Sequence, residues 1–337
     1  MQLIVESARR LFEQHDALAS RAGDWPEELW KQVEEAGYPL SLLGEDAGGF
    51  GFTPAEALAP VAIAAAQAVP LPIGETMLVN WLLVRAGLEP REGPAAAVAI
   101  GESGLRGVPF GRRLRTVIGL HEANGSAQFC LYRPAPNKWR HSENIAGEAR
   151  DDLASADLGA PIMQAPSPID AVTLRALCAA LRAHQMAGAM GRVLDVTLRY
   201  AGERVQFGRA LSAFQAIQHQ FAQMAGQVAA ATTAADIAIN SLQLAVEDPA
   251  KFVVLAGAAK LRAGEAATAV AASAHQIHGA IGFTHEYPLH PLTRRLWSWR
   301  DDNGNETEWA IVLASAVAPL PKGRLWPFLT SLHETAY

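Results

Sequence analysis

The chain of 337 residues predicts a mainly α protein with a small β domain set in its middle, and three features predict it. Half of the residues are hydrophobic but only 7% are aromatic, and alanine carries much of the apolar content in runs such as AIAAAQA and GEAATAVAASA. Alanine favours helices because it loses no side-chain entropy on entering one. Leu174, Leu177 and Leu181 recur at three- and four-residue spacing, and Met186, Met190, Val193 and Leu194 continue the stripe, which is the period of a helix face. Between about Glu92 and Ala165 that period gives way to short β-prone runs, AAAVAI, RTVIGL and SAQFCLY.

Each element follows in order. Asp24 before Trp25 and Pro26 starts a helix through PEELWKQVEEAG, with proline in the first turn and acids near the amino end. Gly37 stops it. The turn-rich GEDAGGFGFTP follows, and two apolar helical segments run from Ala55 to Gln67 and from Glu75 to Ala86. In the β region, Asn124-Gly125 between two runs is a hairpin signal, and the stretch after Pro134 reads as polar and irregular. Long helices return from Asp170, break at Gln206-Phe207-Gly208, resume from Ala213 to Val246, and continue from Lys251 to Ala274 after Asp248-Pro249. Ala183, Ala187, Gly188 and Gly191 put small residues where neighbouring helices can approach closely. The division expected is an N-terminal helical domain at 1–91, a reduced β-barrel or sheet at 92–166, and a C-terminal four-helix bundle at 167–337.

Charge and composition exclude several classes. With 28 basic against 34 acidic side chains the formal charge is −6, the wrong sign for a nucleic-acid or anionic-membrane binder. Two cysteines, Cys130 and Cys178, make no disulfide framework, which fits a reducing compartment, the cytoplasm. MQLIVESARRLFEQHD lacks the charged-then-apolar order of a signal peptide. The most apolar stretch, Ala57 to Ile73, is short for a membrane span and is interrupted by Pro60, Pro70 and Pro72.

Three segments carry the candidate chemistry. The first is RYAGERVQFG, residues 199–208, a helix end whose Arg204 can clamp a phosphate by paired, charge-assisted hydrogen bonds. The second is QIHGAIGF, residues 276–283, a glycine-bearing helix-to-loop junction where a ligand can near the backbone. The third is RDDNGN, residues 300–305. Taken singly, the first two also read as a helix-dipole partner and an ordinary helix stop.

YAGERVQFGRALSAFQAIQ followed by QIHGAIGFTHEYPLHPLTRR resembles the acyl-CoA dehydrogenase family, and LGEDAGGFGFTPAEAL is similar to that family's early Gly-rich turn. The resemblance covers most of the chain and fades in the β region. It implies the family's fold and a flavin cofactor, FAD. The family's ER-x-x-FG motif reaches FAD bound mainly by a neighbouring subunit, and its positions here are Arg204, Gln206 and Phe207. The family's QIxGGxG segment, which contacts the FAD pyrophosphate and adenosine end, falls on Gln276, Ile277, His278 and Gly279, with Ala280 replacing the second glycine.

The departures bear on catalysis. Laid on without gaps, the family's catalytic Glu-Gly pair falls on Asn303-Gly304, and an asparagine amide accepts no α-proton. The alternative base position, on the first helix of the C-terminal domain, falls near Cys178, followed by Ala179 in place of a substrate-positioning arginine. Loss of a general base costs about 10²–10⁴ in rate. Asp301 and Asp302 flank the vacated position, with Glu306 and Glu308 beyond; a shift of register would bring one to a substrate. The Thr-Glu-Pro-x-x-Gly-Ser-Asp-like stretch and the Trp-Ile-Thr-like strand that hold the flavin ring are replaced by VPFGRRLRTVIGLHEANGSAQFCLY.

This combination implies a subunit of a dimer or tetramer, homo- or hetero-oligomeric, in which a base-bearing homologue dehydrogenates an acyl-CoA and this chain completes the FAD site. The shortened β domain leaves room for a bulky acyl group such as a steroid. Two alternatives stay open, a self-sufficient dehydrogenase or flavin monooxygenase of the same fold and a non-enzymatic oligomerisation scaffold. His275 and His278 share a helix face without a third metal ligand, so no metal is expected. His285 and His290 are expected in a loop, Cys178 as a core thiol, and Trp297, Trp299 and Trp309 as either pocket lining or core.

Overall fold

The computed structural model describes residues 2–15, 24–123 and 125–332. The N-terminal part holds α1 (Gln2–Phe12), α2 (Glu27–Glu35), α3 (Pro54–Ala66) and α4 (Ile73–Arg85). Pro26 sits at the N-cap of α2, and Gly37 follows its end at φ +72°, a conformation that costs glycine little. Helix α3 starts on a capping box in which Thr53 accepts from the Glu56 backbone and the Glu56 carboxylate accepts from the Thr53 backbone. Among the described residues no helix is long and apolar enough to cross a membrane.

The β unit contains β1 (Ala95–Ala99), β2 (Gly104–Pro109), β3 (Thr116–Ala123), β4 (Ser126–Tyr132), β5 (Arg150–Ala154), the short α5 (Ser155–Leu158) and β6 (Met163–Pro166). One sheet runs β1-β3-β4-β6, with β1 parallel to β3 and the other pairs antiparallel; β2 and β5 form a second, two-stranded sheet. The β3–β4 hairpin pairs Ala123 with Ser126; Asn124 of its expected turn lies outside the described residues. Side chains alternate as the pleat requires. Ile118, Leu120, Phe129 and Leu131 join the main core, whereas Val117, Cys130 and Tyr132 join a second, smaller core with Leu105, Trp139 and Leu153. Strand β5 lies in the stretch expected to be irregular. Its sequence RDDLA reads as polar, but each charge is partnered: Asp151 accepts from the Arg112 backbone at 3.0 Å, and Asp152 pairs with Arg106 and Arg140.

The C-terminal part holds α6 (Ala171–Glu203), a hairpin of β7 (Val205–Gln206) and β8 (Arg209–Ala210), α7 (Gln215–Asn240), α8 (Leu244–Glu247), α9 (Pro249–His278), α10 (Leu289–Trp299), α11 (Glu306–Val317) and α12 (Leu325–Ser331). Asp170 caps α6 by accepting from the Thr173 backbone at 2.7 Å. Helices α6, α7 and α9 pack on one another, and α10 and α11 together fill the fourth place of the bundle. His290 lies on α10 rather than in a loop.

Helix α3 crosses α6 at Gly188, where a Cβ would stand 2.3 Å from the Ala62 carbonyl oxygen; at Gly191 it would meet nothing within 4 Å. Gly188→Ala is therefore expected to destabilise the protein by about 1–3 kcal/mol, since backbone must move. Gly191→Ala is expected to be neutral or to stabilise by up to about 1 kcal/mol through helix propensity. Urea unfolding of the two variants checks this, and equal losses would contradict it.

Candidate functional site

Two regions collect the residues singled out above. At one end of the bundle, α6 and α9 finish side by side: the Tyr200 ring stacks on His278 at 4.4 Å, and its hydroxyl donates to the His278 carbonyl at 3.3 Å. This contact joins the ER-x-x-FG and QIxGGxG segments, far apart in sequence. Beyond Glu203 the β7–β8 hairpin projects outward, turning through Phe207 at φ +51° and Gly208 at +79°. Positive φ at a bulky residue is uncommon and costs energy, yet the Phe207 ring is 92% exposed and therefore gains little burial within this chain. Arg204 and Gln206 are exposed, and among the described residues Arg204 has no carboxylate partner. Gln276, Gly279 and Ala280 are exposed on the neighbouring helix end, and Gly279, at φ +63°, has open space around it.

Ile277 and His278 differ from Gln276 in exposure. Their side chains are 6% and 4% exposed, because the helical period turns them toward α6 while Gln276 faces out. Burial lowers the His278 imidazole, and its Nδ1 lies 2.8 Å from the Ala274 carbonyl oxygen, so it offers no cation to a diphosphate. His275 stacks on Phe283 at 4.4 Å and lies 3.0 Å from the Thr293 hydroxyl. Among the described residues no group of three His, Cys, Asp or Glu could hold a metal ion.

The second region lies between α4, the β unit and α6. A cavity of about 550 Å³ is lined by Leu78, Leu82, Val98, Leu174 and Leu181, and also by Glu75, Arg182, Cys178 and Asn303. The two positions laid on the family's base sites meet here, with the Asn303 amide donating to the Cys178 carbonyl at 3.4 Å. Burial, reinforced by the nearby Glu75 charge, pushes the Cys178 thiol up to about 12, which keeps it protonated. Asn303 sits at φ +60° and is braced through its carbonyl, which accepts from Trp309 Nε1 at 3.1 Å and Arg175 Nε at 3.2 Å. Lys260, 1% exposed, donates to the Arg300 carbonyl at 2.6 Å and the Gly304 carbonyl at 2.8 Å, and burial lowers its ammonium to about 8.

The other carboxylates of this loop are engaged or outside. Asp302 pairs with Arg150 at 2.8 Å and Arg182 at 3.3 Å, Glu306 pairs with Arg300 at 2.8 Å, and Glu308 pairs with Arg175. Asp301 is exposed. The tryptophans support the loop rather than line the cavity. Trp309 holds Asn303, Trp299 donates to Glu148 at 2.8 Å, and Trp297 lies under Arg300.

Behind the loop the β unit is clasped to the bundle by alternating buried charges. Glu75 meets Arg182 at 3.3 Å, Arg182 meets Asp302 at 3.3 Å, Asp302 meets Arg150 at 2.8 Å, Arg150 meets Glu148 at 3.2 Å, and Glu148 meets Arg295 at 2.9 Å. Burial alone would raise the Glu148 carboxyl, but Arg150, Arg295 and Arg182 together outweigh it and hold it at about 2. The clasp ties the β unit to the bundle beside the cavity that Asn303 lines. The exposed arginine and amides at the bundle end do suit a diphosphate.

Residues 176–300 match the family described as acyl-CoA dehydrogenase, C-terminal domain. Acyl-CoA dehydrogenase IpdE2 of Mycolicibacterium smegmatis is 27% identical over 307 residues, covering 87% of this chain and 91% of that protein. The ChsE4-ChsE5 complex from Mycobacterium tuberculosis contains a chain that superposes with a TM-score of 0.79 at 19% identity, over 95% of this chain and 97% of that one. Butyryl-CoA dehydrogenase from Megasphaera elsdenii gives 0.79 at 17% identity, over 94% and 97%.

Proposed function

Because this chain carries the acyl-CoA dehydrogenase C-terminal domain and has that fold, we propose that it is a flavoprotein subunit that completes the FAD site of a base-bearing homologue in an acyl-CoA dehydrogenase assembly. The observation that carries the reading is an asymmetry. Arg204, Gln206, Phe207 and Gln276, laid on the cofactor motifs, stand exposed at one end of the bundle, while Asn303 and Cys178 occupy the base positions. Arg204 would hold the diphosphate by paired hydrogen bonds, Gln206 and Gln276 would donate amides, and Phe207 would exclude water at the junction. Bound FAD supplies the hydride acceptor for α,β-dehydrogenation of the acyl-CoA thioester. The proton is taken by the partner's base, and Asn303 and Cys178 take no part in its transfer. Support for a partner comes from the small exposed residues Ala222, Ala225, Gly226, Ala229 and Ala230 on α7, which present a flat face, and from a fold relative that is itself a complex.

Co-expression with a base-bearing homologue tests the proposal. The chain alone is expected to purify with little flavin absorbance, and the co-purified assembly is expected to be yellow and to turn over an acyl-CoA. A second reading, a chain active alone, is favoured by one observation, the Glu75 carboxylate on the wall of the cavity that Asn303 lines. It requires a yellow chain that acyl-CoA bleaches without a partner.

A further inference from the structure

Two imidazoles are sealed under the turn that ends the QIHGAIGF segment. His275 and His278 lie in the last turn of α9, and the short 3₁₀ turn Gly279–Phe283 folds back over them. Phe283 stacks on His275 at 4.4 Å. A Cβ on Gly282 would stand 2.9 Å from His278 Cβ and 3.3 Å from His275 Nδ1, so the turn lies close against both. On the other side the Tyr200 ring of α6 stacks on His278 at 4.4 Å, and Tyr287 meets His278 edge-on at 5.0 Å.

Hydrogen bonds fix where each ring carries its proton. His278 Nδ1 donates to the Ala274 carbonyl at 2.8 Å, which leaves Nε2 a bare lone pair. Thr293 Oγ1 donates to the Leu289 carbonyl at 3.2 Å, so it accepts from His275 Nε2 at 3.0 Å, which leaves His275 Nδ1 bare. Both bare nitrogens are buried without a hydrogen-bond partner. An added proton therefore has to sit where no acceptor waits, and a buried cation without a partner is far costlier than the neutral ring. The titratable groups packed about the pair are Tyr200 of α6, His285 and Tyr287 of the segment before α10, and His290 and Arg294 of α10, none of them an anion at neutral pH. Arg199 and Glu203 of α6 stand near Tyr287. The carboxyl end of α9 and the aromatic faces favour a cation to a lesser degree, and burial still holds both rings below the ordinary histidine value.

We propose that His275 and His278 form an acid-sensitive latch: neutral, they hold the Gly279–Phe283 turn closed, and on protonation the turn opens, which gives the bare nitrogens water and moves Gly279 and Ala280. The consequence for FAD rests on the subunit reading above, because that reading assigns these residues to the cofactor end; the opening itself belongs to the isolated chain. An open turn takes up protons near the ordinary value of about 6.5, whereas the closed turn resists them. The closed form is therefore fully favoured above about pH 6.5 and is lost as the pH falls below it, by up to about tenfold per pH unit for each proton taken up.

Hydrogen exchange of the full chain without flavin, read as protection relative to the unstructured rate at each pH, tests the latch. Peptides covering residues 276–288 are expected to lose protection about threefold or more between pH 7.5 and pH 5.5. His275→Gln combined with His278→Gln is expected to make that protection independent of pH. Proton NMR titration of the two wild-type rings serves if the double variant fails to fold, and both are expected to titrate below the ordinary histidine value. Wild-type protection that does not change with pH, an equal fall in the folded double variant, or either ring titrating at or above the ordinary value would overturn the proposal. Since no flavin is present, failure of the latch leaves the subunit reading standing, and the flavin content of the assembly tests that reading separately.

Discussion

Glu148→Leu is expected to destabilise the protein by about 3–5 kcal/mol, the typical loss when one member of a buried ion pair is removed. The substitution leaves Arg295 without its carboxylate and Arg150 with Asp302 alone, and it also takes the acceptor from Trp299 Nε1. Arg106→Ala supplies the contrast. It breaks a pair with Asp152 whose arginine is 60% exposed, and exposed pairs contribute about 0–1 kcal/mol. Acid should reproduce part of the buried effect. The folded Glu148 carboxyl lies at about 2, below the ordinary carboxylate value near 4.3. The stability it supplies is therefore fully present above about pH 4.3 and is lost as the pH falls from there toward 2. Urea midpoints at pH 6 and pH 3 should converge between wild type and variant, and a gap of constant size would contradict the assignment.

The second large effect is on the cofactor rather than the fold. In the assembly, Arg204→Leu is expected to weaken flavin binding about 10–100-fold, the equivalent of losing a charged hydrogen bond worth about 1.5–3 kcal/mol. Phe207→Ser should act in the same direction by opening the junction to water. Both side chains are exposed in the chain alone, Phe207 at 92%, so neither change should shift its own unfolding by more than about 0.5 kcal/mol. Flavin retained through dialysis, compared with the melting curve of the isolated chain, separates the two effects. Full retention in both variants would sink the hairpin's assigned role.

The helices are legible in the sequence because their apolar period is unbroken from Leu174 to Leu194 and their ends carry Asp170, Pro249 and Gly37. The β unit is readable only where its strands are apolar. Strand β5 escapes because Arg150, Asp151 and Asp152 look like a solvated loop until their partners are known, and those partners come from β2, the Arg112 turn after it, the Arg140 segment and the 301–304 loop. In the site, the motif residues are visible as motifs, but the turning of Ile277 and His278 into the core follows from the helical period and not from the motif. Glu75, Arg182 and Lys260 belong to no motif. Each nonetheless has a signal, a lone charge inside an apolar helical run: IGETMLVNWLLV, CAALRAHQM and VVLAGAAKL. Charged residues are rarely buried without a partner, so a charge at such a position points to a buried network.

A chain that contributes only the outer contacts to a flavin, while its partner holds the ring, has no ring site of its own. Each pair of unlike chains then holds one FAD. Flavin absorbance against total protein in the purified assembly measures this directly. One FAD for every two chains is the expected result, and one FAD on each chain would contradict the subunit role.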